Sequence, residues 1–155
     1  MPDDVNVAVE AAIDRHRSVA GGLLPLLHDI QDRLGYVPQS AIPDIARALN
    51  LSRAEVHGVV SFYHHFRQSP PGRHVLQVCR AEACQSMGAE SLLNALRTQL
   101  GIDLHGTTAD GAVTLEPVYC LGNCACAPSV MIDGRVRGRV SANAAAALVS
   151  ELQGA

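Results

Sequence analysis

The sequence predicts an α-helical bundle followed by an α/β domain. Up to about Phe66, apolar residues recur at the spacing of amphipathic helices, whereas after Pro71 short apolar runs alternate with helical segments. Two prolines and a glycine within residues 69–72 separate the two patterns, because they cannot continue a helix. We therefore expect one domain in residues 1–68 and a second in residues 73–155.

Four short helices are expected in the first domain. Residues 7–17 form a weakly amphipathic helix, and residues 23–34 form a firmer one that stops at Gly35. The third presents an apolar face over residues 42–49, with Ser40 as its cap. The fourth begins at a capping box in residues 52–55. Its inward-facing residues are predicted to be Val56, Val59, Val60 and Tyr63.

The third and fourth helices also have the arrangement of a DNA-binding helix-turn-helix. The second of them carries Glu55 and only one arginine nearby, which equips it poorly for reading the major groove. A formal net charge of −3 and unclustered basic residues also argue against nucleic acid as a partner. The other interpretation is that the two helices pack together and present a surface to a protein partner.

The second domain is predicted to have the order β-α-β-β-β-α. Residues 73–78 form a strand, residues 87–100 a helix, and residues 113–119 a second strand, parallel to the first because the helix crosses over between them. Pro117 is easier to accommodate at the edge of the sheet. Asp133-Gly134 indicates a hairpin between residues 130–132 and 136–140. Ser141 is expected to cap a last helix that runs to Leu152.

Two cysteine pairs organise this domain: Cys79 with Cys84, and Cys120 with Cys124. The first pair brackets a loop between a predicted strand and a helix, and the second pair follows another predicted strand. Neighbouring strands would bring both loops to one edge of the sheet. Four convergent thiolates in a small protein indicate a metal site.

The spacing within the pairs favours an iron–sulfur cluster over a zinc ion. Zinc sites often use C-x2-C, whereas these pairs are C-x4-C and C-x3-C, which leave room for a larger group. A [2Fe-2S] cluster takes two thiolates on each iron and accepts backbone N–H groups at its sulfurs. The sequence lacks the ligand spacing of plant-type ferredoxins and the paired histidines and cysteines of Rieske proteins. It also lacks the C-x-x-C dithiol of thioredoxins. A zinc-stabilised helix-turn-helix regulator is the distant alternative.

Composition bears on location and catalysis. The acidic start and the lack of a long apolar stretch argue against a secretion signal and a membrane span. Five cysteines, an odd number, suit reduced thiols better than a disulfide framework, so we expect a cytoplasmic protein. The sequence shows no nucleophile, base or phosphate-binding glycine loop, and we expect the chain to catalyse nothing alone.

Several segments resemble one family across nearly the whole chain. They are residues 34–38, residues 51–56, the run Gly-Val-Val-Ser-Phe-Tyr at 58–63, and residues 120–128 with Cys-Leu-Gly-Asn-Cys and Ala-Pro. These segments resemble the thioredoxin-like [2Fe-2S] ferredoxin subunits. Such subunits occur beside an FMN-containing, NAD-binding partner in respiratory complex I, in NAD-reducing hydrogenases and in molybdenum-dependent NAD formate dehydrogenases.

The resemblance implies that Cys79, Cys84, Cys120 and Cys124 bind one [2Fe-2S] cluster. It also implies a thioredoxin-like fold for the second domain and docking of the helical bundle onto the flavin subunit. Residues 124–128, the compact length and the lack of a tail most resemble the gamma subunit of NAD-dependent formate dehydrogenase. That enzyme converts formate and NAD+ to CO2 and NADH on a molybdenum and iron–sulfur subunit. Complex I and a bidirectional hydrogenase are the alternatives.

Five further residues have two interpretations each. In an extended loop, Cys126 would lie beside the cluster or substitute as a ligand; otherwise it is a small buried residue. Gly122 allows the loop to approach the cluster closely, or simply makes a tight turn. Arg80 favours the reduced cluster, or is a solvated surface side chain. His64 and His65 lie at the end of a predicted helix, where a protonated imidazole interacts favourably with the helix dipole. A capping or interface role is therefore preferred to metal binding for these two residues.

Overall fold

The computed structural model describes residues 2–154. The chain divides into two compact units, Met1–Pro70 and Pro71–Ala155. Among the helices of the described residues, none is both long enough and apolar enough to span a bilayer.

Within residues 2–70, four α-helices build the first unit: α1 Pro2–His16, α2 Leu23–Leu34, α3 Ile42–Leu49 and α4 Arg53–Phe62. Helix α1 starts earlier than predicted, and α2 ends before Gly35 as predicted. The apolar faces of the helices meet in one core, whose most buried members include Leu26, Leu27, Ile30, Ile45 and Val56. Burial of each such side chain contributes about 1.5–3 kcal/mol.

The starts of α3 and α4 differ in how they are capped. The Ser52 hydroxyl accepts a hydrogen bond from the Glu55 N–H at 3.1 Å, and the Glu55 carboxylate accepts one from the Ser52 N–H at 2.7 Å. The predicted capping box is therefore confirmed. Ser40 is wrong as the cap of α3, because it lies in a 3-10 turn, Gln39–Ala41, that runs directly into the helix. Ala41 already has helical backbone angles, whereas a side-chain cap needs an extended residue there.

The C-terminal end of α4 exposes two aromatic side chains. Tyr63, expected to face inward, is 43% exposed, and Phe62 is 72% exposed. The backbone leaves the helix at Tyr63, where φ is −86° and ψ is 101°, so the buried face of α4 ends at Val60. The two rings contact each other edge to face, with their centroids 5.0 Å apart. We call Phe62 and Tyr63 the aromatic end of α4.

A buried glutamine holds the segment that follows α4. Gln31 donates from Nε2 to the His65 carbonyl at 2.8 Å and accepts at Oε1 from the Arg67 N–H at 2.7 Å. Burial, together with the charges of His28 and Arg67, lowers the pKa of His65. Protonation of the His65 imidazole at this helix end is therefore disfavoured.

Within residues 71–154, a five-stranded sheet with the order β2-β3-β1-β4-β5 forms the centre of the second unit. The strands are β1 His74–Cys79, β2 Gly106–Thr107, β3 Val113–Val118, β4 Val130–Ile132 and β5 Arg135–Arg137. Strands β1 and β3 are parallel, as predicted, and the other neighbours are antiparallel. The helices are α5 Glu82–Ser86, α6 Ala89–Leu100 and α7 Ala145–Gln153.

One core joins this sheet to α6 and α7. Its most buried members include Leu76, Leu92, Leu96, Leu115 and Val130. The helix predicted from Ser141 begins at Ala145, after a 3-10 turn, Ala142–Ala144. The predicted class, a helical bundle followed by an α/β domain, is confirmed.

The second unit departs from the prediction in one helix and one strand. The helix expected over residues 87–100 begins at Ala89 as α6, and a short helix that was not predicted, α5, precedes it; Gly88, where φ is 95°, lies between the two. Strand β2 was not predicted, because two residues are too few to show a periodic pattern.

Pro117 lies in an interior strand and not at the edge of the sheet. The carbonyl groups of Val113 and Leu115 accept hydrogen bonds from the β2 side of β3. The backbone of Pro117, two residues further along the strand, faces the same side. Strand β2 pairs only with residues 114 and 115, so it does not need an N–H from the proline.

Candidate metal centre

The first cysteine pair is buried at the carboxyl end of β1. Cys79 is the last residue of the strand, and Cys84 lies inside α5, not in a loop before a helix. Each residue is 2% exposed, and the two thiols are hydrogen-bonded to each other. The Cys79 N–H donates to the Ser129 carbonyl at 3.1 Å, one residue beyond the last β1–β4 pair. The sheet therefore sets the position of this pair.

The second cysteine pair is exposed on the loop that follows β3. The Sγ atoms of Cys120 and Cys124 lie 3.8 Å apart. Cys120 has a φ of 90°, and the Gly122 N–H donates to its sulfur at 3.4 Å. A left-handed conformation costs a non-glycine residue about 1–3 kcal/mol and persists only where its surroundings impose it. The loop therefore holds Cys120 in a strained conformation.

The two pairs meet because β1 and β3 are parallel neighbours. Cys79 lies opposite Val118, so both strands deliver their cysteines to the same edge of the sheet. The backbone N–H groups of Cys120 and Leu121 face the sulfur of Cys79 and act to lower its pKa. Cys124 is close enough to both Cys79 and Cys84 to interact with them electrostatically. The structure thus brings both of the cysteine pairs that the sequence singled out to one edge of the sheet.

Backbone N–H groups favour negative charge on Cys79. Burial is the largest single influence and acts to raise its pKa, but hydrogen bonds from the Ala81 N–H, the Cys84 thiol and the Cys120 and Leu121 N–H groups together lower it. Burial raises the pKa of Cys84, and the hydrogen bond with Cys79 raises it further. Cys79 is therefore the buried thiol of this edge that most readily carries a negative charge.

The donor set fits a [2Fe-2S] cluster. Within residues 4–154, no three His, Cys, Asp or Glu side chains are arranged to hold one metal ion, and the four thiols lie as two pairs. Two pairs of sulfur donors, with N–H groups directed at a sulfur, are the chemistry that such a cluster uses.

Three residues near the thiols, Cys126, Arg80 and Gly122, had two interpretations each. Cys126 is not in an extended loop but ends a 3-10 helix, Cys124–Cys126, where it is half-buried. Arg80 is half-buried: it donates to Glu90 at 3.2 Å, and its Nε is buried with no partner among the described residues. Gly122 has a φ of 72°, a conformation that favours glycine, so it makes a turn.

Sequence reasoning missed Ser129 and Gly138. Ser129 is 1% exposed and contacts both cysteine loops. A Cβ at Gly138 would lie 2.6 Å from the Cβ of Cys126. Neither residue belongs to a recurring sequence spacing. The one local signal concerned Ser129, a small polar residue between a proline and the apolar strand β4.

Comparison with known proteins identifies the family. Residues 9–153 match the family described as thioredoxin-like [2Fe-2S] ferredoxin. The chain is 38% identical to a subunit of the NADH-quinone oxidoreductase of Pseudomonas aeruginosa, over 92% of this chain and 86% of that protein. It is 37% identical to the HndA subunit of the NADP-reducing hydrogenase of Solidesulfovibrio fructosivorans, over 78% of this chain and 71% of that protein.

A solved structure is similar in fold. The match is to a chain of the NAD+-reducing [NiFe]-hydrogenase in the H2-reduced state, with a TM-score of 0.71 and 29% identity. It covers 86% of this chain but 22% of the hydrogenase chain, so the likeness concerns one part of that longer protein. The resemblance predicted from the sequence is confirmed, and this chain belongs to the thioredoxin-like [2Fe-2S] ferredoxin family, whose members carry one [2Fe-2S] cluster.

Proposed function

We propose that this chain is a one-electron carrier that holds its [2Fe-2S] cluster on Cys79, Cys84, Cys120 and Cys124. The main support is the meeting of a buried and an exposed thiol pair at one edge of the sheet. When bound, such a cluster supplies reversible one-electron chemistry.

The residues around the thiols would act on the charge of the site. Four thiolates make the site anionic, and reduction adds a further negative charge. The N–H groups of Ala81, Cys120 and Leu121 favour that charge by donating to Cys79. All-cysteine ligation gives roughly −400 mV in plant-type ferredoxins, a range that suits electron exchange with a flavin. The exposed second pair leaves the site open to an electron partner.

That partner, in this proposal, is an FMN- and NAD-binding subunit of the same complex. The named relatives are subunits of NADH-quinone oxidoreductase and of NADP-reducing hydrogenase, and the matched structure is an NAD+-reducing hydrogenase. Their names support a place in an NAD(P)H-linked complex. Residues 1–68 would dock onto the flavin subunit and residues 73–155 would carry the cluster. The aromatic end of α4 supports a docking role because it is exposed.

The parent complex proposed is a cytoplasmic NAD-dependent formate dehydrogenase with a molybdenum and iron–sulfur catalytic subunit. Its support is the resemblance of residues 124–128 to the gamma subunit of that enzyme. The relatives named above support complex I and a hydrogenase equally, and both remain alternatives. In each assembly this chain would carry electrons and bind neither NAD nor formate. Five free cysteines accord with a reducing compartment.

Cysteine substitutions test the cluster assignment. Purified chain should contain iron and sulfide in equal amounts and show visible absorbance that bleaches with dithionite. Cys120→Ser should abolish or badly destabilise the cluster, whereas Cys126→Ser, the matched control, should leave its spectrum nearly unchanged. Equal loss in both variants would place Cys126 among the ligands. A colourless protein that contains zinc would refute the assignment.

Co-purification tests the parent complex. A tagged chain should recover an FMN- and NAD-binding subunit together with a molybdenum-containing subunit, identified by mass spectrometry and metal analysis. Recovery of a nickel-containing subunit would assign a hydrogenase, and recovery of quinone-reducing membrane subunits would assign complex I. Absence of any flavin subunit would contradict the proposed partner.

A further inference from the structure

Ser129 lies between the two cysteine pairs. It is 1% exposed and directly precedes β4. Its carbonyl accepts a hydrogen bond from the Cys79 N–H at 3.1 Å, and its own N–H faces the sulfur of Cys84. The backbone of this one residue therefore contacts both members of the buried pair.

The side chain of Ser129 contacts the exposed loop. Its Oγ lies 3.2 Å from Asn123 Nδ2, which donates to it, and 3.3 Å from the Cys126 carbonyl, to which it can donate. The Asn123 carbonyl is a second acceptor at 3.5 Å. Asn123 directly precedes Cys124, and Cys126 ends the 3-10 helix that Cys124 begins. The hydroxyl thus holds the loop on both sides of Cys124.

We propose that Ser129 is a positioning residue that fixes the two cysteine pairs relative to each other, its backbone holding Cys79 and Cys84 and its hydroxyl holding the loop of Cys124. The inference rests on the proposed function, because it takes these cysteines as cluster ligands. A hydroxyl suits the place because it donates and accepts at once. Without it, the Asn123 amide and the Cys126 carbonyl lose a partner beside a buried residue.

Ser129→Ala in the full chain tests the role of the hydroxyl. The backbone contacts to Cys79 and Cys84 remain, so the cluster should still assemble. Residues that orient metal ligands typically affect metal affinity about 10–100-fold, and we expect cluster loss to an iron chelator to accelerate by about 10-fold or more. The EPR g values of the reduced cluster should also change, because the sulfurs of the exposed pair are reoriented.

Thr114→Val is the matched control. Thr114 is 3% exposed, and its hydroxyl accepts from the Gly72 N–H at 2.7 Å and contacts the Thr107 hydroxyl at 2.8 Å. It lies near the start of β3, about 20 Å of extended chain before Cys120. Removal of this hydroxyl should lower thermal stability but leave the g values and the chelation rate at their wild-type values. Equal acceleration in both variants would show that Ser129 acts only through general stability, and would overturn the inference.

Asn123→Ala provides a second, independent variant. It removes the amide that donates to Ser129 Oγ from a partly exposed position, so it can be studied if Ser129→Ala does not fold. We expect Asn123→Ala to accelerate cluster loss. Because the two side chains share one hydrogen bond, the variant that combines Asn123→Ala with Ser129→Ala should lose the cluster at a lower rate than the product of the two single accelerations predicts. Wild-type behaviour of both single variants, with the cluster present, would refute the role of Ser129. Failure of wild-type protein to take up a cluster would instead refute the proposed function.

Discussion

Gly138→Ala should push the loop that contains Cys124 and Cys126 away from the segment that directly follows β5. An added Cβ would lie 2.6 Å from the Cys126 Cβ and 2.8 Å from the Cys126 carbonyl oxygen. Carbon atoms ordinarily pack at about 3.5–4.0 Å, so the segment after β5 and the loop would have to separate by about 1 Å. The Arg139 N–H, which donates to the same carbonyl at 2.6 Å, opposes that separation. We expect a cost of about 1–3 kcal/mol from overpacking.

Native-state hydrogen exchange measures this cost within the second unit. A loss of about 2 kcal/mol makes exchange of the most protected β1 amides about 30-fold faster. Gly58→Ala in α4 is the control, because a Cβ there meets no described atom within 4 Å. It should leave β1 exchange unchanged and stabilise α4 by about 0.5–1 kcal/mol. Wild-type β1 exchange in Gly138→Ala would show that the loop yields freely, and would refute the reasoning.

Two further predictions concern acid stability and docking. Partial burial, the largest influence on Asp133, acts to raise its pKa, but hydrogen bonds from His74 and the Val75 N–H hold that pKa below its usual value. Its contribution to stability is therefore present above the unfolded pKa of about 3.9 and is lost as pH falls through the folded pKa. Asparagine tolerates the φ of 49° at this position, so Asp133→Asn should lower the melting temperature near pH 6. Near pH 2 its melting temperature should approach that of the wild type. A difference in melting temperature that stays constant with pH would contradict this prediction. Phe62→Ser should reduce recovery of the flavin subunit without lowering the melting temperature, since Phe62 is 72% exposed; unchanged recovery would show that docking uses another surface.

Local patterns in the sequence predicted much of the fold. The spacing of leucines over residues 23–34 predicted α2, and the pair Ser52 and Glu55 predicted the start of α4, because each depends on contacts within one or two turns. Ser40 and Tyr63 were misassigned because a 3-10 turn and a change of backbone direction override the helical repeat at those positions. Strand β2 is too short to carry a pattern.

Cysteine spacing and the apolar runs before each pair were enough to predict two pairs of thiols at the ends of strands, and the comparisons confirmed the family that these motifs predicted. The folded chain was needed to show which backbone N–H groups face Cys79, that Cys84 lies in a helix, and that Ser129 contacts both loops. The difference lies in the range of the interactions. Strand and helix periodicities arise between residues a few positions apart, whereas the hydrogen bonds around the thiols join segments that become neighbours only when β1, β3 and β4 pair.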